Sequence, residues 1–260
     1  MKFSVITVCL NAGNDLLLTV NSTLNQTFLD YEIIIKDAFS KDGSLEKVPK
    51  DKRIKIIQSK DSGIYDAMNQ GIRQSKGDYL IFMNAGDLFY DNEVLARLEA
   101  KILADPCEMY YGKSYCADLK MVRNYPSNID KYFCYRSMIC HQATIYRRDM
   151  LLSRNYDTEF KVSADKDRLM FAIIKEKIKP QYVPIIISRY KGQGFSDSLR
   201  GKKINTAENK RLVKRYYTIS ERIQYRVKYL LTLPHVRRLL IKNKKINIIY
   251  NKLIGLIYRT

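Results

Sequence analysis

The chain has 260 residues, 46 Lys and Arg against 27 Asp and Glu, a formal charge of +19, and 46% hydrophobic residues. A chain this long can withdraw roughly 75% of its unfolded surface from water, and its 20 Tyr and 9 Phe exclude a disordered basic tail. The charge points to an anionic partner (nucleic acid, anionic lipid or a phosphorylated small molecule), and composition alone does not choose among them.

Residues 3–10 form a continuous apolar, β-branched run that predicts a strand, and 15–24 predict a helix. A second strand covers 31–37 and ends at the turn-rich Ser40-Lys41-Asp42-Gly43-Ser44. Residues 53–58 read as a third strand, 64–74 as a helix and 79–83 as a fourth strand. Strands apolar on both faces and separated by helices predict a parallel sheet covered on both sides, an α/β nucleotide-binding architecture. Ligands in such a sheet sit beyond the carboxyl ends of the strands. From about residue 105 the pattern is less regular, with strands at 109–115, 142–146 and 182–187 and a helix at 163–175 capped by Ser163. This predicts a mixed sheet attached to the first unit. From Lys202 the pattern is helical, with a break at Pro234.

Residues 1–10 are too short, and lack the cleavage site, for a signal peptide, and no stretch approaches the 18 apolar residues of a membrane span. Cysteines 9, 107, 116, 134 and 140 are odd in number and scattered, so a reducing cytoplasm is expected, without disulfides or structural zinc.

Four acids fall where predicted strands or turns end or a helix begins: Asp37, Asp61, Asp87 and Asp165. Each alone also fits a turn or a helix N-terminus. Together they carry more, because three successive strands deliver a carboxylate to one sheet edge. The chain has no Gly-rich phosphate loop. A bound diphosphate would then be bridged by a divalent cation held by one or two carboxylates, a task that suits Met83-Asn84-Ala85-Gly86-Asp87, although an ordinary turn also fits.

The chain resembles family 2 glycosyltransferases. The resemblance rests on Ser4-Val5-Ile6-Thr7-Val8 with Asn11, on Ser22-Thr23-Leu24-Asn25-Gln26-Thr27, and on Ile35-Lys36-Asp37-Ala38-Phe39-Ser40-Lys41-Asp42-Gly43-Ser44. It continues in register through Asp61-Ser62-Gly63-Ile64-Tyr65-Asp66-Ala67-Met68-Asn69-Gln70-Gly71-Ile72 and Gly77-Asp78-Tyr79-Leu80-Ile81-Phe82-Met83-Asn84-Ala85-Gly86-Asp87. His141-Gln142-Ala143-Thr144 and Ser163-Ala164-Asp165-Lys166-Asp167 follow, so that the match covers about residues 3–196.

The resemblance implies a GT-A fold, a nucleotide-sugar donor and inversion at the anomeric carbon. By position, Asp37 would bind the nucleotide base, with uracil expected, Thr7 would line the base pocket and Asp61 would close it. Asn69, Asn84 and His141 complete the implied donor-binding group, with His141 bordering the diphosphate or the acceptor, or else serving structure. Asp87 would ligate Mg²⁺ or Mn²⁺, and Asp165 would deprotonate the acceptor hydroxyl. Asp167, two residues on and about 200° round a helix, is the fallback for the base and otherwise reads as a solvated surface acid. Gly86 departs from the family pattern, where a second Asp is common. Residues 192–196 resemble a donor-closing loop, although a plain surface loop fits as well.

The division expected is a GT-A-like domain at 1–200 and a basic helical extension at 201–260. The extension holds 16 Lys and Arg and two acids, a net +14, against +5 for residues 1–200. Its apolar stretch 246–258 is too short to span a bilayer and suits the interface, so membrane association is expected, peripheral on the cytoplasmic face of the plasma membrane. The acceptor expected is a lipid-linked or polysaccharide glycan of the cell surface. The competing reading is a nucleic-acid-binding protein whose tail tracks phosphates, against which the charge is segregated and no recognition motif occurs. A nucleotidyltransferase would need a Gly-rich loop near Asn11-Ala12-Gly13-Asn14.

Overall fold

A computed structural model describes residues 1–232 apart from Gln193, so Pro234 and the 246–258 stretch lie outside the described residues. Strands β1 (Phe3–Cys9), β2 (Tyr31–Asp37), β3 (Ile54–Gln58) and β4 (Tyr79–Phe82) run parallel in the order β3-β2-β1-β4. β1 and β2 are buried almost throughout, which is why they read as unbroken apolar runs. Helices α1 (Asn14–Leu24) and α2 (Ile64–Gln74) make the returns. Gly71 lets α2 press onto β1, because a Cβ there would stand 2.5 Å from Ile6 Cγ2.

The mixed part is the same sheet continued rather than a second one. β8 (Thr144–Arg147) pairs antiparallel with β4, then come β6 (Met109–Cys116), β9 (Gln181–Tyr190) and the edge strand β5 (Leu88–Phe89), with β7 (Met121–Arg123) folded back on β6. The strand expected from residue 142 begins at Thr144, because residues 141–143 close a 3-10 turn in which the Ala143 amide donates to the Cys140 carbonyl. Helices α3 (Val94–Ala104), α4 (Lys131–Arg136) and α5 (Arg148–Ser153) have no counterpart in the sequence reading.

α6 (Ala164–Ile174) is followed by two helices from the basic segment, α7 (Leu199–Tyr216) and α8 (Ile219–Thr232). Ser163 does not cap α6 with its side chain; its hydroxyl bonds Asn205 of α7 instead. α7 is bound to the first 198 residues by both core and polar contacts. Leu212, Tyr216 and Tyr217 are buried in the common core. Glu208 is also buried, and its carboxylate accepts from the amides of Lys161, Val162 and Ser163 at 2.6, 3.1 and 2.9 Å. Asp167 is a correction to the sequence reading. It is 1% exposed, with its carboxylate accepting from Arg154 (2.8 Å), Arg215 (3.0 Å) and the Tyr216 hydroxyl (2.7 Å). Two cations and a phenol supply what water would have given it.

Glu208→Ala strands three amides beneath α7 and is expected to lower stability by at least about 2 kcal/mol in urea denaturation, with Glu208→Gln losing less because an acceptor oxygen remains.

Candidate active site

The parallel strands bring Asp37, Asp61 and Asp87 to one edge of the sheet, as their spacing suggested. Asp37 closes β2 and is buried. It accepts from the Ser40 amide (2.9 Å) and hydroxyl, the Gln58 amide (3.2 Å) and the Cys9 thiol (3.5 Å). Burial pulls its pKa up, but these donors outweigh it and hold the carboxyl below the usual range. Cys9 is pushed the other way, to about 12, by burial and by Asp37, and stays a neutral thiol. Thr7, expected to line this pocket, is fully enclosed in β1 with its hydroxyl unpartnered. The β1 residue that meets Asp37 is Cys9, two positions further along the same face.

Asp61 is paired with the fully buried Lys36 at 2.5 Å, and Lys36 also donates to the Ser59 carbonyl at 2.8 Å. The pair ties β2 to the loop after β3 and leaves Asp61 compensated. Asn69, expected among the donor-binding residues, belongs to packing. Its amide nitrogen donates to the Tyr156 carbonyl and its oxygen accepts from the Tyr156 amide, both at 2.9 Å. Both ends of that side chain are consumed.

Asp87 follows β4 in a turn where Gly86 has φ 99°, a backbone region that disfavours any side chain. The turn is pinned to α1, because the Gly86 amide donates to the Thr19 hydroxyl at 2.9 Å. The Asp15 carboxylate stands 3.5 Å from where a Cβ on residue 86 would lie, and it pairs with Lys191 at 2.9 Å. That ion pair joins the end of β9 and the start of the 192–196 loop to the Asp87 turn. Asp87 is buried and accepts from the Gln142 amide at 2.9 Å. Burial raises its pKa to about 6, against the lowering effect of His141 and Gln142.

Asp165 is the second residue of α6, near the positive end of that helix. The Tyr65 hydroxyl lies 3.1 Å from its Oδ1, and the Lys166 amide donates to the same oxygen at 2.8 Å. His141 Nδ1 stands 3.5 Å from Oδ2, and His141 Nε2 is 3.1 Å from Asn84 Nδ2. With the Asn84 amide as donor, Nε2 is unprotonated and the ring proton sits on Nδ1, toward Asp165. Two consecutive residues therefore span the site, with His141 on Asp165 and Gln142 on Asp87. Asp87, Asp165, Asn84 and His141 come together in this way, and Asp37 with Cys9 and Gln58 forms a second cluster on the same edge. Cys9, Tyr65 and Gln142 were missed. Gln142 stood beside His141 in the quoted block and was the one within reach of sequence reasoning.

Asn84 Oδ1 is buried without a partner, three residues from a carboxylate short of counter-charge. Hard oxygen donors of this kind fit Mg²⁺ or Mn²⁺. No group of three or more His, Cys, Asp or Glu occurs together among the described residues, so most of the coordination would come from the diphosphate and water.

A parallel nucleotide-binding sheet continued by antiparallel strands, with acids along one edge and a further acid on a facing helix, defines a GT-A glycosyltransferase. Residues 4–165 match the family described as Glycosyl transferase family 2, and the chain belongs to it. It is 29% identical over 195 residues to a PGL/p-HBAD biosynthesis glycosyltransferase of Mycobacterium bovis, covering 72% of this chain and 76% of that protein. An uncharacterized glycosyltransferase of Rickettsia bellii is 35% identical over 105 residues, covering 38% of this chain and 15% of that one. The fold matches S. aureus TarS 1-349 in complex with UDP-GlcNAc (TM-score 0.63, 19% identity, 78% of this chain and 64% of that one). It also matches the mannosyltransferase PcManGT of Pyrobaculum calidifontis in complex with GDP-Man and Mn2+ (TM-score 0.59, 16% identity, 75% and 58%). The chain thus spans about three quarters of the mycobacterial relative and under two thirds of either structural neighbour.

Asp87 gives a pH signature. Its native pKa of about 6 exceeds the ordinary 3.8, so the folded state binds the proton more tightly and stability falls as pH rises from about 4 to 6. Asp87→Asn is therefore expected to stabilise the metal-free protein at pH 7.5 by about 2–3 kcal/mol, a gain that vanishes near pH 4 in thermal melts.

Proposed function

We propose that this glycosyltransferase moves a sugar from a UDP-sugar to a hydroxyl of a lipid-linked or polysaccharide acceptor, with inversion. The observation that carries the reading is the His141-Gln142 link, which holds two buried acids of different environment across one cleft. Asp37 and Cys9 receive the uracil edge, with Asp61 and its Lys36 partner shaping the wall of that pocket. The UDP complexes of TarS support the choice of base. Asp87 and Asn84 would hold a divalent cation, whose chemistry would be to offset charge on the diphosphate.

In the transfer itself Asp165 accepts the acceptor's hydroxyl proton. The acceptor oxygen bonds the anomeric carbon from the opposite face as the bond to the diphosphate oxygen breaks, and UDP leaves with the electron pair. Tyr65 and the Lys166 amide orient the carboxylate for this step, and the Nδ1–H of His141 faces its other oxygen. Asp165→Asn is expected to lower kcat at least about a thousandfold while UDP-sugar affinity changes less than about threefold by calorimetry. Loss of donor binding would falsify the base assignment. Asp87→Ala should remove the Mn²⁺ dependence of UDP-sugar binding, and an intact response to EDTA would move the cation elsewhere.

The basic segment supports a place on the cytoplasmic face of the membrane. Ile219, Ile223, Val227 and Leu230 form an exposed stripe at helical spacing on α8, flanked by Arg222 and Arg226. No helix among the described residues is long and apolar enough to cross a membrane. Ile223→Asp with Val227→Asp should release the protein from phosphatidylglycerol vesicles, read by co-sedimentation. RNA binding at least as tight as vesicle binding would favour the nucleic-acid reading instead.

A further inference from the structure

A cavity of about 490 Å³ opens between α4, α7 and α8, away from Asp87 and the base pocket. Arg136, Lys210, Lys214 and Arg222 stand around it, with the rings of Tyr135 and Tyr229 as walls. None of these four cations has a carboxylate within ion-pair distance among the described residues. The acids of this end of the molecule are committed elsewhere. Asp130 caps α4, Glu208 holds the 161–163 amides, and Glu221 is paired with Lys131 and bonded to the Thr218 amide. Residues 233–260 carry seven Lys and Arg and no acid.

Four like charges round one cavity repel, and an arrangement of this kind is stabilised when an anion enters. Arg136 is held over the rings of Tyr132 and Tyr229, with its charge group 5.6 and 5.4 Å from their centroids, which orders the guanidinium before any ligand arrives. Two guanidiniums and two ammoniums match the several oxygens and multiple charge of a phosphate or diphosphate better than a single carboxylate. The exposed apolar stripe of α8 lies roughly 110° round the same helix from the cavity-lining Arg222 and Tyr229, so apolar surface is available on the helix that walls the cavity.

The cavity is also wired to the candidate base. Asn209, on its wall, accepts from Lys166 Nζ at 2.8 Å, and Lys166 follows Asp165 and donates its amide to that carboxylate. We propose that the α4–α7–α8 cavity binds the phosphate or diphosphate head of an amphiphilic acceptor, and so sets a sugar hydroxyl beside Asp165. This rests on the reading of Asp165 as the base, but the binding itself does not.

The full chain, saturated with UDP and Mn²⁺ to fill the donor site, is titrated with farnesyl diphosphate and with inorganic diphosphate in calorimetry, and with phosphatidylglycerol vesicles in co-sedimentation. The expected result is saturable binding of farnesyl diphosphate, weakened at least about tenfold in Lys210→Gln/Lys214→Gln, with UDP affinity unchanged. Arg136→Gln, on a different helix, should weaken it likewise. Weaker binding of inorganic diphosphate with the same sensitivity shows that the head is what the cavity reads. Unchanged binding in both variants overturns the proposal, as does a parallel loss of UDP affinity. Vesicle binding that falls in the variants, with no binding of farnesyl diphosphate, overturns it in favour of a general anionic surface. Retained transfer in Asp165→Asn would remove the base reading while leaving the binding result standing.

Discussion

Parallel strands constrain this molecule most. Once β3, β2, β1 and β4 lie side by side in one direction, all of their carboxyl ends must open on the same edge. The loops that leave those ends carry Asp37, Asp61 and Asp87, so three acids are gathered with no further device. What the parallel half does not supply is an acid on the far side of the cleft. That comes from α6, beyond the antiparallel strand β8, and the turn that precedes β8 spans the gap. His141 and Gln142 can reach opposite acids because a 3-10 turn throws successive side chains in different directions, which an extended strand start would have done less compactly.

The acids are held in three electrostatic states by their surroundings. Asp37 is fixed as a carboxylate by donors, Asp61 is neutralised by a buried ammonium, and Asp87 is left wanting positive charge. Residues of one chemical type on one sheet edge are thereby given three different environments, as the roles proposed for them require.

Much of this was legible in the sequence. β1 and β2 announce themselves because strands buried on both faces leave unbroken apolar runs, and the helix expected at 64–74 has the bounds of α2. β5 and β7, of two and three residues, are too short to carry a period. Acids at strand ends were visible because three successive apolar runs each lead to one, although any one of them alone also fits a turn or a helix N-terminus. Polar residues satisfied at long range were not. Asp167 draws its partners from Arg154, Arg215 and Tyr216, and Asn69 spends its amide on Tyr156, contacts that no local pattern encodes. Thr7 and Cys9 show a finer limit, since both lie on one face of β1 and only the depth of the strand in the sheet separates a buried hydroxyl from a pocket thiol.

The dependence of the α6 approach on Glu208 has a consequence for how the protein comes into being. The sheet and its edge acids are complete in the first 190 residues, and domains made on the ribosome organise from the amino end. The three amides before α6 find their acceptor only when α7 has been synthesised and has left the exit tunnel. A chain halted before residue 208 carries every strand of the sheet described but lacks the carboxylate that holds the 161–163 turn, so Asp165 gains its final setting only after α7 has been made.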